Sequence, residues 1–344
     1  MKDNLKKIAF CITCMNRLHH LQQTLEKNIL DNYLLGDVEF VLLDYNSQDG
    51  LEEWVQQNMQ SHINSGILFY YKTFEPEYYF RNPSRNLAFR LANAEIVCNL
   101  DADNFLGKGF ASFMIHEFSV NENIFFTSDS RNNDTYGRIC VRQKDLLSVK
   151  GYNENLQGYG QGDLDLFVRL EKSGLIRKYF NNPDFYHCIF HSKAERVTNE
   201  QMTKNTKQMY ISYINPYSSD ILLLYKDHTY LQCTLIDTPH LYYLPNFIPP
   251  DNYREKIVTL KDGFQKGNWQ EKNSEKSEIF YQNKKYYLIQ DEELVLEIII
   301  LLTTAINHFL IQQQLKENRP VNPDGFGKGV VYKNFDMENK IILL

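Results

Sequence analysis

The chain has 344 residues, enough for one large domain or two ordinary ones. Its net charge of −6 and the lack of any long basic block argue against nucleic acid as a partner. Apolar residues make up 43% and charged residues 23%, values that exclude a disordered or fibrous class and fit a globular one.

The first apolar run, residues 8–15, continues into Asn16-Arg17 with no small-residue cleavage site, so it reads as a strand and not as a signal peptide. Residues 18–30 follow as a helix, with Leu18, Leu21, Leu25 and Ile29 at helical spacing. A second strand, 38–43, ends in the polar turn 44–50 before a helix at 51–59. A third strand, 67–72, is followed by Arg81-Asn82-Pro83-Ser84-Arg85-Asn86, which leads into a helix at 87–94 with Pro83 at its start and Ser84 as its cap. A fourth strand, 95–100, runs into Asp101-Ala102-Asp103-Asn104.

This alternation predicts an α/β fold with a mainly parallel, doubly wound sheet. No Gly-x-Gly-x-x-Gly follows the first strand, so the dinucleotide fingerprint is absent. The strand ends carry polar groups instead: Thr13 with Asn16 and Arg17, then Asp44, then Asp101 with Asp103. Such ends gather on the sheet edge where ligands sit. Alternate residues of an extended chain point to one side, so Asp101 and Asp103 can converge on one hard cation, a phosphate-bound Mg²⁺ or Mn²⁺. Taken alone, the pair reads equally well as an ordinary Asp/Asn turn.

Residues 105–118 read as helical, 123–129 and 137–141 as strands, and 144–149 as a short helix. Gly151, Gly158, Gly160 and Gly162 make the next stretch a flexible loop. Asp163 then opens an amphipathic helix that runs through Glu171 to Gly174. His187, Cys188 and His191 follow. Six cysteines scattered through apolar runs form no disulfide framework. Cys11-x-x-Cys14 lies in a strand, where positions three apart face opposite sides, so it is not a redox or zinc pair.

From about residue 215 the composition shifts, with strands at 221–225, 230–236 and 281–289 and one long helix at 291–316. The apolar part of that helix, 294–311, is interrupted by Glu297, Thr303, Thr304, Asn307 and His308. No membrane-crossing segment is therefore expected, and the helix reads as buried or as an oligomer contact. A membrane-surface role is the lesser alternative, since the helix lacks the basic polar face of such helices. A cytosolic location is the default expectation.

Five pieces stand in order along residues 7–200: Asn16-Arg17-x-x-x-Leu21, Arg85-Asn86-x-Ala88, Asp101-Ala102-Asp103, Gly151-Tyr152 with Gly158-Tyr159-Gly160-Gln161-Gly162-Asp163-Leu164-Asp165, and His191-Ser192-Lys193. Together they resemble the inverting, metal-dependent nucleotide-sugar glycosyltransferases of the GT-A fold, family 2 type. The latter half resembles the C-terminal half of the β-1,4-galactosyltransferase catalytic domain. The resemblance implies a GT-A catalytic domain at 1–214, with 215–344 left as an accessory α+β module. It implies a UDP-sugar donor, a Mn²⁺ or Mg²⁺ cofactor, and a glycan or lipid-linked glycan acceptor. Asp103 becomes a direct metal ligand, Asp101 a ligand either directly or through the ribose, and His191 the third ligand. Cys188 stands where those galactosyltransferases place a methionine ligand, with His187 as an alternative.

Asp163 is the expected general base, since a carboxylate can take the acceptor proton as the anomeric carbon inverts. A plain helix cap is its bland reading, and Asp165 is the other candidate base or acceptor contact. Arg17 and Arg85 suit uracil or phosphate oxygens. Thr13, Asn16 and Asp44 are assigned to the nucleotide, and Tyr152 and Tyr159 to the sugar. Three positions depart from the pattern: Gly162 replaces a glutamate, Tyr159 a tryptophan, and Tyr45 a second aspartate. The expected function is hexose or N-acetylhexosamine transfer in bacterial capsule or lipooligosaccharide synthesis, in the cytoplasm or at the inner face of the membrane. The competing expectation is a non-catalytic GT-A-like binding or scaffold protein. A pyrophosphorylase is disfavoured by the missing glycine-rich triphosphate loop.

Overall fold

A computed structural model describes residues 5–34, 36–129, 135–238, 257–269 and 276–344. In chain order come β1 (Lys6–Cys14), α1 (Leu18–Asp31), β2 (Val38–Tyr45), α2 (Leu51–Asn58), α3 (Gln60–Asn64), β3 (Leu68–Thr73), α4 (Arg81–Leu91) and β4 (Ala94–Asn99). Next are α5 (Phe110–Val120), β5 (Ile124–Thr127), β6 (Ile139–Arg142), α6 (Gln143–Ser148), α7 (Gly162–Lys172) and β7 (Ile176–Tyr179). Then α8 (Lys193–Val197) and α9 (Gln201–Asn205) lead into β8 (Thr206–Asn215), β9 (Ser218–Tyr225), β10 (Thr229–Thr238), β11 (Ile257–Asn268), β12 (Glu278–Tyr281) and β13 (Lys284–Leu288). The chain closes with α10 (Glu292–Lys316), β14 (Gly329–Lys333) and β15 (Lys340–Leu343).

Two compact units result. The first comprises Met1–Asn155, Gly162–His191 and Pro320–Leu344, and the second Leu156–Gln161 and Ser192–Arg319. The expected boundary between residues 214 and 215 is therefore corrected. The second run of the first unit ends at His191, and the C-terminal strands return to that unit because β14 pairs antiparallel with β3, Tyr332 opposite Lys72.

The first unit holds a nine-stranded sheet in the order β15-β14-β3-β2-β1-β4-β6-β5-β7. The run β3-β2-β1-β4 is parallel, as the alternation predicted, while β6 and β14 flank it antiparallel. The α/β class holds. Parallel strands covered on both faces need apolar residues at every position. In β1 and β2 the alternation divides those residues between two cores. Phe10, Ile12 and Phe40 join α1 and α5 on one side, and Ala9, Cys11 and Val41 join α4 on the other. Cys14 and Cys11 fall in opposite cores, as strand geometry requires.

Helix α4 begins at Arg81, six residues ahead of expectation, so Ser84 lies inside it and bonds the Arg81 carbonyl oxygen instead of capping. Pro83 causes no break because amides of the first turn have no partner within a helix. The longer helix buries Asn82, Arg85 and Asn86, at 5, 2 and 0% exposure.

In the second unit, the sheet β11-β10-β9-β8-β13-β12 is antiparallel throughout its recorded pairings. Helix α10 packs on it through Ile298, Ile299, Leu302, Ala305 and Ile306 against Met209, Ile221, Leu223 and Leu231. Contrary to the sequence expectation, α10 is long and apolar enough to cross a membrane. Its apolar side here is the core of this unit.

Asn322 ties the C-terminal segment to residues 150–154. It donates to the carbonyl oxygens of Lys150 and Tyr152 (2.7 Å each) and accepts from the Glu154 amide (3.0 Å). Asn322→Ala is expected to lower unfolding free energy by about 1–3 kcal/mol, the cost of buried groups left unpaired. Denaturant titration checks this, and an unchanged midpoint would show that the segment is not part of the first unit's cooperative fold.

Candidate active site

The loop after β4 is fixed by α1. Thr24, Asn28 and Asn32 recur every four residues and are buried, at 1, 2 and 2% exposure. Buried polar groups need partners, and these find them in the loop. Thr24 Oγ1 donates to the Ala102 carbonyl oxygen (2.7 Å). Asn28 donates to the Asn104 carbonyl oxygen and accepts from the Leu106 amide (2.8 Å each). Asn32 donates to the Gly107 carbonyl oxygen (3.1 Å) and accepts from the Ala111 amide (2.9 Å). These bonds hold residues 105–109 as a loop, so α5 starts at Phe110 and not at Phe105.

Arg85, reaching in from α4, is the centre of the site. Its Nη2 donates to Asp101 Oδ1 and its Nη1 to Asp163 Oδ1, both at 2.9 Å. The guanidinium also lies 5.3 Å from the centre of the Tyr152 ring, whose hydroxyl donates to Asp163 Oδ1 (2.9 Å). Asn99 adds a bond to Asp101 Oδ1 (3.1 Å). Among the described residues neither Oδ2 has a hydrogen-bond partner. Both free oxygens face Gly137, where an added Cβ would lie 3.3 Å from that of Asp101 and 3.5 Å from that of Asp163. The same Cβ would lie 2.9 Å from Arg85 Nη2. Gly137 thus admits the close approach of three charged groups. Burial works to raise the Asp101 pKa, but the charge and hydrogen bond of Arg85, the charge of Arg81 and the Asn99 amide outweigh it and hold the carboxyl below its usual value.

Asp103 and His191 form a second pair, with Nε2 2.9 Å from Oδ2 and both side chains 10% exposed. Carboxylate with imidazole is a donor set that fits a divalent transition-metal ion. As direct ligands, Asp101 and Cys188 do not gather with Asp103 and His191 into one close cluster. Asp101 is drawn to Arg85, and Cys188 forms a backbone bridge with Asn104. Beneath the loop lies Arg138, 0% exposed, which donates to Asn104 Oδ1 (3.1 Å) and to the carbonyl oxygens of Phe105 (2.9 Å) and Phe185.

The remaining assignments divide. Asp44 is 0% exposed and accepts from the Ser47 amide and the Tyr70 hydroxyl at 2.7 Å each, so it braces the end of β2 and offers no surface to a nucleotide. Burial raises its pKa, with Ser47, Tyr70 and Lys72 opposing. Tyr152, also 0% exposed, orients Asp163 and has no face for a sugar. Asp165 is held by Arg169 at 2.7 and 2.9 Å along α7, a local pair on its Oδ2. Thr13 shares a hydrogen bond with Tyr79 (2.8 Å), and Asn16 accepts from the Gln48 amide (2.7 Å), tying the ends of β1 and β2. Arg17 is half-buried just before α1.

The glycine-rich segment is not loose. Within the second unit, Asn307 on α10 bonds the Gln157 amide and the carbonyl oxygens of Gln157 and Gly160 (2.8–2.9 Å). Tyr159 belongs there too, accepting from Arg196 (3.2 Å). Gly162 has a local cause, since a Cβ there would meet Asn82 Oδ1 at 2.7 Å.

The sequence model of glycosyl transferase family 2 matches residues 9–194. No curated protein matches the chain in sequence. Among solved structures, the Pyrobaculum calidifontis mannosyltransferase PcManGT, in complex with GDP-Man and Mn²⁺, is 17% identical over 53% of this chain and 56% of its own, with a TM-score of 0.43. S. aureus TarS 1-349 is 14% identical over 55% and 61%, TM-score 0.45. The catalytic domain of Drosophila beta1,4galactosyltransferase 7, in complex with xylobiose, is 15% identical over 61% and 90%, TM-score 0.41. The chain thus spans less than two thirds of the first two.

Removing the guanidinium tests the electrostatics. Arg85→Met is expected to cost about 3 kcal/mol at neutral pH, the lower end for breaking a buried pair, because Asp101 and Asp163 keep 28 and 23% of their side-chain surface in water. The depressed Asp101 pKa gives stability that is complete above the ordinary value of 3.8 and is lost as pH falls through the lower folded value. The gap between wild type and variant should therefore narrow in acid. Denaturant midpoints measured from pH 7 to pH 3 check this, and a gap that widens below 3.8 contradicts it.

Proposed function

We infer that this chain, which belongs to glycosyl transferase family 2, moves a hexose or N-acetylhexosamine from a UDP-sugar to a glycan hydroxyl, with inversion at the anomeric carbon. One observation carries the reading. A single buried arginine joins the strand-end carboxylate of Asp101 to the helix-borne carboxylate of Asp163, next along the chain from the Asp103–His191 pair.

Asp163 is the general base of this proposal. Arg85 and Tyr152 occupy its Oδ1 and fix its direction, which leaves Oδ2 to accept the proton of the acceptor hydroxyl. Asp101 is oriented in the same way, with Arg85 and Asn99 on its Oδ1. Asp103 and His191 would hold the cation, and the imidazole favours Mn²⁺ over Mg²⁺. When bound, that ion neutralises the departing diphosphate as a Lewis acid. The chain's own part is positioning, with the reacting groups kept in line on elements that are themselves hydrogen-bonded.

The absence of a glutamate at Gly162 leaves acceptor contacts to other groups. It also motivates the alternative of a nucleotide-sugar or glycan binding protein without catalysis. A glycan or lipid-linked glycan of a bacterial surface polysaccharide, met in the cytoplasm or at the inner membrane face, is the acceptor assigned here.

A panel of UDP-sugars with Mn²⁺, scored for UDP release, tests the reading. Asp163→Asn is expected to lower kcat by roughly 10²–10⁴-fold, the usual worth of a positioned base, with UDP-sugar binding retained. Asp103→Ala should abolish Mn²⁺-dependent turnover. Binding without turnover in the wild type would favour the non-catalytic alternative. A folded protein that neither binds nor turns over any nucleotide sugar would falsify both.

A further inference from the structure

We propose that His20 is a positioning residue of the cation site, acting through the ring of His191. The proposal rests on the metal-dependent reading above. His20 is the first rung of the polar stripe on α1, four residues before Thr24, and is 3% exposed. Its ring centre lies 5.4 Å from that of His191, with the two planes inclined by 39°. The His19 ring lies 4.1 Å from the His20 ring, centre to centre, inclined by 49°.

The stripe therefore reaches both members of the Asp103–His191 pair. Thr24 and Asn28 hold the carbonyl oxygens of Ala102 and Asn104, the residues on either side of Asp103. His20 packs against the imidazole that meets Asp103 Oδ2 at 2.9 Å. One rigid helix thereby sets the carboxylate and the imidazole relative to each other. Rotation of the His191 ring would carry Nε2 away from Asp103, and the role assigned to the buried His20 ring is to resist that turn. Residues that orient a metal ligand commonly matter about 10–100-fold in metal affinity. His20 supplies the contact as a flat ring, and the role assigned to it requires the ring face, not a nitrogen lone pair.

The test is Mn²⁺ binding to the full chain without donor, measured from the free-ion EPR signal, for wild type, His20→Phe and His20→Gln. Phenylalanine keeps a flat ring against His191. Glutamine keeps polarity and similar bulk but no ring. The expected result is wild-type binding, a Kd within about threefold of it for His20→Phe, and a Kd weaker by about 10–100-fold for His20→Gln. Far-ultraviolet circular dichroism and denaturant midpoints accompany each variant, so that a loss of fold is not scored as a loss of metal. Equal affinity of wild type and His20→Gln overturns the proposal alone. So does His20→Phe binding as weakly as His20→Gln, which would make a ring nitrogen the active element. Failure of the wild type to bind Mn²⁺ overturns the metal-dependent reading, and this inference with it.

Discussion

A guanidinium 2% exposed to solvent is costly unless its charge and donors are met, and Arg85 meets them with two carboxylates brought from distant parts of the chain. That requirement organises the first unit. Asp101 must stand at the end of β4 and Asp163 in the first turn of α7, so the two elements have to converge on α4. Gly137 must lack a side chain for the three groups to meet. Tyr152 must lie under the guanidinium with its hydroxyl on Asp163. Removing any one of these leaves a buried charge or an unpaired donor, so the arrangement is cooperative.

The surrounding shell is built from amides. Asn86 takes the Tyr152 amide on its Oδ1 and gives Nδ2 to the Tyr152 carbonyl oxygen and to Glu154. Glu154 accepts in turn from the Gly327 amide, which joins the C-terminal segment to the same clamp. On the other side of the sheet, Thr24, Asn28 and Asn32 do the equivalent for the loop bearing Asp103. Asparagine suits both tasks because one side chain both donates and accepts, matching the amide and carbonyl of a loop with no regular backbone partner.

Asp101, Asp103 and Asp163 stood out in the sequence as polar residues at a strand end and after a glycine-rich stretch, and His191 through the resemblance alone. Gly137 was not, because its value lies in what approaches it and nothing beside it in sequence shows that. The stripe on α1 left a signal, polar residues every four positions, but apolar spacing at Leu21, Leu25 and Ile29 accounts for a helix without it. Asp44 and Tyr152 were assigned to nucleotide and sugar, and Asp165 to the base or an acceptor contact, on the resemblance and on chemical type. Tyr70, Asp163 and Arg169 claim them instead.

The sequence by itself determined the order of strands and helices, the parallel centre of the sheet, the opposite facing of Cys11 and Cys14, and the edge at which the polar strand ends collect. These follow from periodicity, which is local: two residues per strand repeat and 3.6 per helical turn. Tertiary structure alone decided which carboxylate Arg85 holds across 16 and 78 positions, that the last strands return to the first sheet, and that Asn307 closes the glycine-rich segment from 150 positions away. Those choices belong to packing. A buried polar atom takes whichever partner the close-packed interior brings within about 3 Å, and spacing along the chain carries no information about that distance.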